Sequence, residues 1–451
     1  MGSIKKPAIA IIGTGYVGLV SGACFAELGY SVICVDKDLQ KIARLKKADI
    51  PIYEPDLEHL VRKNVASSQL QFTTSLNEAF EKADMIFIAV GTPQQTEDSA
   101  PDLSFLQSVA KELAPLLTVP KILVIKSTVP IGTNRKIAEL IRTLNHQAKF
   151  EMVSNPEFLR EGVAVFDFMS PDRVVIGVES VATQKCMEAF YAPFTEKGIP
   201  LVVTDLETAE MIKYAANCFL AMRLAYVNEL ADLCEKVGGN IEKVMEGVGL
   251  DKRIGLQYLQ TGPGFGGSCF PKDTEAFLHM AKNSDTSLSI LEAVIASNKN
   301  RKQKLSDYIK QALGTLQSKT IAVLGLAFKA NTDDIRDSAA LSLIQELLKQ
   351  DALVRVYDPV VKASTLSLFK SVTWPDSVYQ AIEGADIVVI VTEWPEFREL
   401  DLALIKSLLK PEKSPPTLID FRNLFDPETV ARAGLRYISL GRKMLTPIAI
   451  N

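Results

Sequence analysis

The sequence predicts an α/β fold of two doubly wound domains joined by a long central helix and a helical bridge. Three observations carry this. Short apolar bursts alternate with helical patterns from Ile9 onward, residues 206–237 hold no Gly or Pro, and the opening pattern returns after residue 320. Strands spaced by helices argue a parallel, doubly wound sheet with helices on its faces.

The strand-sized bursts of the first half are Ile9–Ile12, Ser31–Val35, Met85–Val90, Ile122–Ile125, Met152–Ser154 and Val174–Ile176. Residues 206–237, rich in Ala, Leu, Met and Glu, read as one helix. Its apolar residues cover most of the circumference, which calls for burial on several sides. A second subunit is the natural cover, so a homodimer or higher oligomer is expected. The Gly- and Pro-rich residues 261–272 read as a loop, with helical sequence following to about residue 315. Then come strand Thr320–Gly325, helix Ser338–Gln350 and strand Val354–Tyr357, which ends in Asp358. Ala83-Asp84-Met85-Ile86-Phe87-Ile88 is echoed by Ala385-Asp386-Ile387-Val388-Val389-Ile390, a weak but consistently placed repeat. The expected domains are 1–205, 206–315 and 316–451.

Composition excludes several classes. The 451 residues are 47% hydrophobic and 23% charged, with net charge −4 and no basic block, which argues against a nucleic-acid partner. No apolar run approaches the roughly 18 residues that span a bilayer, so no membrane association is expected. No secretory leader precedes the first strand, and Lys6 stands where a myristoylation signal requires Ser or Thr. Six scattered cysteines without a Cys-x-x-Cys pair read as reduced cytoplasmic thiols. Only His59, His146 and His279 occur, none in a motif, so neither a metal site nor a histidine base is expected.

Gly13-Thr14-Gly15-Tyr16-Val17-Gly18 follows the first strand and opens a helix. Gly13 permits the tight turn, Gly15 lets the backbone approach a pyrophosphate, and Gly18 lets helix and strand pack closely. Asp36 closes the second strand, where it can accept hydrogen bonds from a ribose 2′-hydroxyl. This is the pattern of a Rossmann-like dinucleotide site. Asp36 favours NAD, because a carboxylate repels a 2′-phosphate, although Lys37 and Lys41 leave NADP open. The turns holding Thr92 and Thr128 close later strands at their carboxyl ends, which line the ligand crevice in such sheets.

Gly266-Gly267-Ser268-Cys269-Phe270-Pro271-Lys272-Asp273 is unlike the usual setting of a core thiol. Cys24, Cys34, Cys186, Cys218 and Cys234 lie in apolar strand or helix patterns and read as buried, inert side chains. At Cys269 the loop, Lys272 and a helix start favour an exposed thiolate of lowered pKa. A dehydrogenase that stops at a carbonyl has no use for a nucleophile. One that continues to a carboxylic acid adds the thiol to the aldehyde, transfers a second hydride and hydrolyses a thioester.

The set GTGYVG, VGTP, STVP, NPEFLREG, PDRVVIG, AEMIKYAAN, GPGFGGSCFPKD, GLAFK and YDP, in order from residue 13 to 359, resembles the UDP-glucose/GDP-mannose dehydrogenase family. The resemblance implies that Cys269 is the nucleophile and that Lys213 and Asn217 stabilise negative charge on the substrate oxygen. Their spacing puts both on one face of the long helix. Asp273 and Thr128 would position a water acting as base. Glu161 would orient groups at the cofactor and Glu157 would serve as general base for the thioester, again at a spacing of one helical turn. Phe158, Leu159 and Arg160 between them, and the 260–266 segment with Gly264, Phe265 and Gly266, would wrap the substrate, with Tyr258 nearby. Arg253 would reach the substrate of the neighbouring subunit. Lys41 and Arg336 match positions near the cofactor, and Arg422 one at the sugar. In the second Rossmann-like half only Gly325 survives of the glycine pattern, with Ala327 and Ala330 in the other glycine positions. That half is expected to hold the sugar nucleotide through Phe328 and Lys329 instead of a dinucleotide.

Within the family, Pro171–Gly177 and Phe270 lean toward UDP-glucose as substrate, ahead of GDP-mannose or a UDP-N-acetylhexosamine. A β-hydroxyacid dehydrogenase shares the first Rossmann unit and the Lys-x-x-x-Asn pair. It has neither the thiol nor the second half. A non-enzymatic NAD-sensing module would need none of Cys269, Lys213 and Glu161.

Overall fold

A computed structural model describes residues 6–94, 101–361, 371–411 and 415–447. The chain forms two compact units, Met1–Ala216 with Glu275–Thr286, and Asn217–Thr274 with Ser287–Asn451.

The first unit holds an eight-stranded sheet of β1 (Ile9–Ile12), β2 (Val32–Val35), β3 (Leu70–Thr73), β4 (Met85–Ile88), β5 (Lys121–Ile125), β6 (Phe150–Ser154), β7 (Val174–Val178) and β8 (Leu201–Thr204). Their order is β3-β2-β1-β4-β5-β6-β7-β8. The reversal between β1 and β4 is the switch point at which such sheets open a ligand crevice. The sheet is not parallel throughout, as β7 runs antiparallel to β6 and β8 follows β7. Strands β1, β2 and β4 are buried along their whole length, which is why they read as continuous apolar runs. Beneath them Phe25 meets Phe168 edge to face at 4.9 Å, with Phe190 at 5.1 Å.

The second unit holds β9 (Thr320–Leu324), β10 (Leu353–Tyr357), β11 (Ile387–Ile390), β12 (Thr417–Asp420) and β13 (Arg436–Ser439), all parallel in the order β10-β9-β11-β12-β13. The sequence echo has a structural cause. Asp84, just before β4, accepts from the Ala8 amide at 2.9 Å, and Asp386, just before β11, accepts from the Thr320 amide at 2.6 Å. Each latches the start of the neighbouring first strand.

The long helix spans Leu206–Val237, the stretch free of Gly and Pro. Helices Phe270–Lys282, Ser289–Gln303 and Leu305–Leu313 follow. Two sequence readings are corrected. Residues 155–160 are irregular, so Glu157 and Glu161 do not share a helical face. Pro156 disfavours helical backbone at Asn155, and the next helix starts only at Ala164. Cys186 is exposed, on the outer face of helix Val181–Phe190.

Candidate active site

In the first unit, Gly13 takes φ +98°, and a Cβ there would lie 2.6 Å from the Ala89 carbonyl oxygen. A Cβ on Gly18 would lie 2.0 Å from the Gly13 oxygen, so no side chain fits at either position. Gly15 caps helix Tyr16–Glu27, and a Cβ there would meet nothing within 4 Å. That open space at a helix N-terminus suits a pyrophosphate.

At the end of β2, one Asp36 carboxylate oxygen accepts from the Thr14 amide (3.0 Å), the Thr14 hydroxyl (2.6 Å) and Lys41 Nζ (2.9 Å). The other accepts from the Asp38 amide at 3.1 Å. Burial works to raise the Asp36 carboxyl, but the Thr14 and Lys41 bonds and the two amides hold it down at about 2. It is a fixed anion at the carboxyl end of β2. Val17 lies in the first turn of helix Tyr16–Glu27. Turn and carboxylate together fit a dinucleotide such as NAD.

Thr92, just after β4, donates from its hydroxyl to the Thr128 carbonyl at 2.9 Å, so these two predicted residues meet. Beyond β6, Glu157 pairs with Lys213 of the long helix at 3.1 Å, both buried, and its second oxygen accepts from the Leu159 amide at 2.5 Å. The Phe158 ring lies between two cations, 3.6 Å from the Arg173 guanidinium and 5.3 Å from Lys213 Nζ. Arg160 turns away to pair with Asp167 at 2.6 Å. Glu161 is buried, and Gly162 follows it with φ +82°.

Two residues to which the sequence assigns no role stand here, although Lys126 lies in the turn with Thr128 that the sequence places at the crevice. Lys126, at the end of β5, is buried with Nζ 3.2 Å from Asn155 Oδ1. Burial pulls its ammonium down to about 8, against the Glu157 carboxylate, while the Lys213 ammonium adds to the fall. Glu54 is buried and accepts from the amides of Gly162 (2.6 Å) and Ala164 (2.7 Å). The burial of neither carries a sequence signal, since a charged residue beside a strand or turn reads as a surface residue.

In the second unit, Cys269 precedes helix Phe270–Lys282 and its carbonyl accepts from the Asp273 amide at 2.8 Å, which makes it the N-cap residue. It is partly exposed, and the Ser268 hydroxyl lies 3.4 Å from its sulfur. Burial pushes the thiols of Cys24, Cys34 and Cys218 up to about 12, and those three fit the inert reading. Asp273, 1% exposed, accepts from Asn217 Nδ2 and from Lys272 Nζ, each at 2.6 Å.

The glycines before Cys269 are steric necessities. A Cβ on Gly266 would lie 2.3 Å from the Asp337 oxygen, and one on Gly267 would lie 2.7 Å from the Phe328 ring. The Gly267 amide donates to the Arg336 carbonyl at 2.8 Å, while the Arg336 side chain pairs with Asp334. Phe265 is held through both its amide and its carbonyl by Asn298, at 2.8 and 3.0 Å. Gly264 packs on Asn298 and Lys302. Arg422 donates to the Phe328 carbonyl at 2.7 Å and pairs with Glu393, bringing the last predicted residue to the turn that carries Lys329. Tyr258, at φ +58°, lies 6.2 Å from the Phe270 ring. Arg253 stands apart on the surface, paired only locally with Asp251 at 2.6 Å.

The second half departs from the first at its own acidic residue. Asp358 accepts from the Leu326 amide (2.7 Å), the Ala327 amide (3.1 Å) and the Trp394 indole (3.1 Å) on one oxygen. The amides of Val360 and Val361 take the other. With both oxygens occupied, this carboxylate offers a ribose little. Among the described residues no group of three or more His, Cys, Asp or Glu side chains forms a metal site, and no helix is long and apolar enough to cross a membrane.

Comparison with known proteins places these features in context. The NAD binding domain, central domain and UDP binding domain of the UDP-glucose/GDP-mannose dehydrogenase family match residues 7–195, 207–300 and 322–427 in turn. A UDP-glucose 6-dehydrogenase of Rhizobium meliloti (strain 1021) is 48% identical over 96% of this chain and 99% of its own length. The UDP-glucose 6-dehydrogenase TuaD of Bacillus subtilis (strain 168) is 45% identical over 96% of this chain and 93% of its own. Among solved structures, a UDP-glucose dehydrogenase from the hyperthermophilic archaeon Pyrobaculum islandicum superposes with TM-score 0.89 at 33% identity, covering 98% of this chain and 99% of that one.

Proposed function

Because the chain belongs to the UDP-glucose/GDP-mannose dehydrogenase family, with NAD as its cofactor, we propose that it oxidises UDP-glucose to UDP-glucuronate in two steps through a thioester on Cys269. One observation carries the two-step reading. Cys269 is a partly exposed N-cap thiol in a glycine loop, whereas Cys24, Cys34 and Cys218 are buried with thiols raised to about 12. A helix N-terminus favours a thiolate, the form that attacks a carbonyl.

NAD, when bound, accepts a hydride from the sugar C6 in each step. The residues of this chain do the rest. Asp273 and Thr128 hold a water that takes the C6 hydroxyl proton as the alcohol becomes an aldehyde. The Cys269 sulfur then adds to the aldehyde carbon, and the resulting oxyanion receives hydrogen bonds from Lys213 and Asn217, one turn apart on the long helix. Loss of the second hydride leaves a thioester. Glu157 takes a proton from a second water, the water oxygen adds to the acyl carbon, and the C–S bond breaks to release the carboxylate and the thiol. Glu161 orients the cofactor side, with Arg336 and Lys41 near the cofactor. Phe158, Leu159 and Arg160, Tyr258, Gly264 to Gly266, Phe328, Lys329 and Arg422 hold the sugar nucleotide. Arg253, exposed in one chain, serves the site of a second subunit. The buried thiols of Cys24, Cys34 and Cys218 suit a reducing compartment such as the cytoplasm.

UDP-glucose is favoured over an N-acetylated sugar or GDP-mannose by the names of the relatives at 45–48% identity. Supplying UDP-glucose and NAD and counting NADH per sugar consumed tests the proposal, which requires two. One equivalent removes the thioester, and none removes the substrate. Cys269→Ser is expected to end acid formation, with a fall of at least about 10³-fold, while NADH still binds. Undiminished acid production by that variant would take Cys269 out of the mechanism.

A further inference from the structure

We infer that Glu54 is a positioning residue that ties the dinucleotide turn to the segment carrying Glu157 and Glu161, so that the two segments are set as one body. The inference rests on the proposed function for the roles of those segments, and on the following geometry for the tie itself.

Glu54 lies in an irregular stretch between helices Leu39–Leu45 and Leu57–Ala66 and is 5% exposed. One carboxylate oxygen accepts from the Ala164 amide at 2.7 Å, at the start of helix Ala164–Met169. The other accepts from the Gly162 amide at 2.6 Å and from the Tyr16 hydroxyl. The Gly162 amide also lies 2.9 Å from that hydroxyl oxygen, so the three groups close a triangle. Gly162 directly follows Glu161, and Tyr16 stands between Gly15 and Gly18.

A helix start needs far less than this. A Ser, Thr, Asp or Asn at the cap position satisfies the free amides from next door. Here Val163 caps the helix without a side-chain bond, and the acceptor comes from a residue 110 positions away. Burying a carboxylate is costly unless its oxygens are bonded. Glu54 meets that requirement with donors drawn from both segments, Tyr16 on one side and Gly162 and Ala164 on the other. A shift of either segment therefore costs bonds to the other. A ligand that orders the turn also orders residues 157–164, and coupling of this kind is reciprocal.

Both oxygens face backbone N–H groups, so Glu54→Gln must set an NH2 against one of them. Tyr16→Phe removes only the hydroxyl, which keeps the inference testable if Glu54→Gln fails to fold. The measurement is hydrogen exchange of the full chain at the Gly162 and Ala164 amides, with and without NADH. In the parent protein NADH is expected to slow exchange there. In Tyr16→Phe that response is lost with the melting temperature preserved, and in Glu54→Gln the amides exchange faster even without NADH. Steady-state kinetics adds a second arm. The KM values for NAD and UDP-glucose rise together, roughly tenfold each for the loss of a charged hydrogen bond, while kcat changes less. An NADH response in Tyr16→Phe equal to the parent's overturns the inference. So does a Glu54→Gln variant that loses thermal stability alone. If the parent does not turn over UDP-glucose, the proposed function fails, while the exchange arm still decides the role of Glu54.

Discussion

Lys126 is a charge held almost out of water. Its neighbours are Asn155, whose Oδ1 also accepts from the Tyr191 hydroxyl at 2.5 Å, the Phe168 ring at 6.0 Å, and the charges of Glu157 and Lys213. Burial disfavours the ammonium, the Glu157 carboxylate partly offsets this and the Lys213 ammonium adds to it, leaving Lys126 at about 8. An unfolded lysine titrates near 10.4, so between about pH 8 and 10.4 the unfolded chain binds the extra proton. Stability from this group therefore rises with pH across that window, by up to about 1.4 kcal/mol per pH unit. Cys24, Cys34 and Cys218, whose thiols are raised, act in the opposite sense above about pH 9, but they are common to parent and variant. The difference in unfolding free energy between the parent and Lys126→Met isolates the lysine. It is expected to move in the parent's favour as pH rises from 8 to 10, and parallel denaturation curves would refute the assignment. No sequence pattern marks its burial, which is set by β6 and by Tyr191, far away in the chain.

At the scale of elements, the long helix carries an unfinished surface. Phe219, Tyr226 and Leu233 recur seven residues apart and are 57%, 58% and 54% exposed. Seven residues are nearly two turns, so the three side chains form one stripe. Burying each fully contributes about 1.5–3 kcal/mol, which a second copy of the chain would supply by setting the same stripe against its own. Sedimentation is expected to show a dimer, and Tyr226→Glu with Leu233→Glu to give a monomer of unchanged helix content. A parent that sediments as a monomer removes this reading. The helix itself was legible because 32 residues without Gly or Pro leave little else to form. Strands β3 and β8 were not. Leu70-Gln71-Phe72-Thr73 and Leu201-Val202-Val203-Thr204 are four-residue edge strands, too short for alternation to stand out. Glu157 and Glu161 misled for a related reason. A spacing of four suggests a helical face only where the backbone is helical, and Asn155-Pro156 prevents that.

At the scale of the whole molecule, one architecture occurs twice and its acidic residue serves two purposes. Gly325 repeats the Gly13 turn at φ +95°, and a Cβ there would lie 2.4 Å from Thr392, so the turn was kept for packing. Asp36 keeps one oxygen bonded only to the Asp38 amide, whereas both oxygens of Asp358 are taken by four backbone amides and an indole. The altered glycine pattern at 325–330 was legible in the sequence. The saturation of Asp358 was not, because it depends on Trp394 arriving from beyond β11. Calorimetric titration is accordingly expected to give one NADH per chain. Asp36→Asn should weaken that site roughly 10- to 100-fold, as expected for a lost charged hydrogen bond. Asp358→Asn should lower the melting temperature and leave NADH affinity unchanged, since it unseats the Leu326–Ala327 turn and Trp394 without touching residues 13–18. Two equivalents of NADH, or an affinity loss in Asp358→Asn as large as in Asp36→Asn, would show that the second half still binds the dinucleotide. The division of labour between the two sheets would then have to be abandoned.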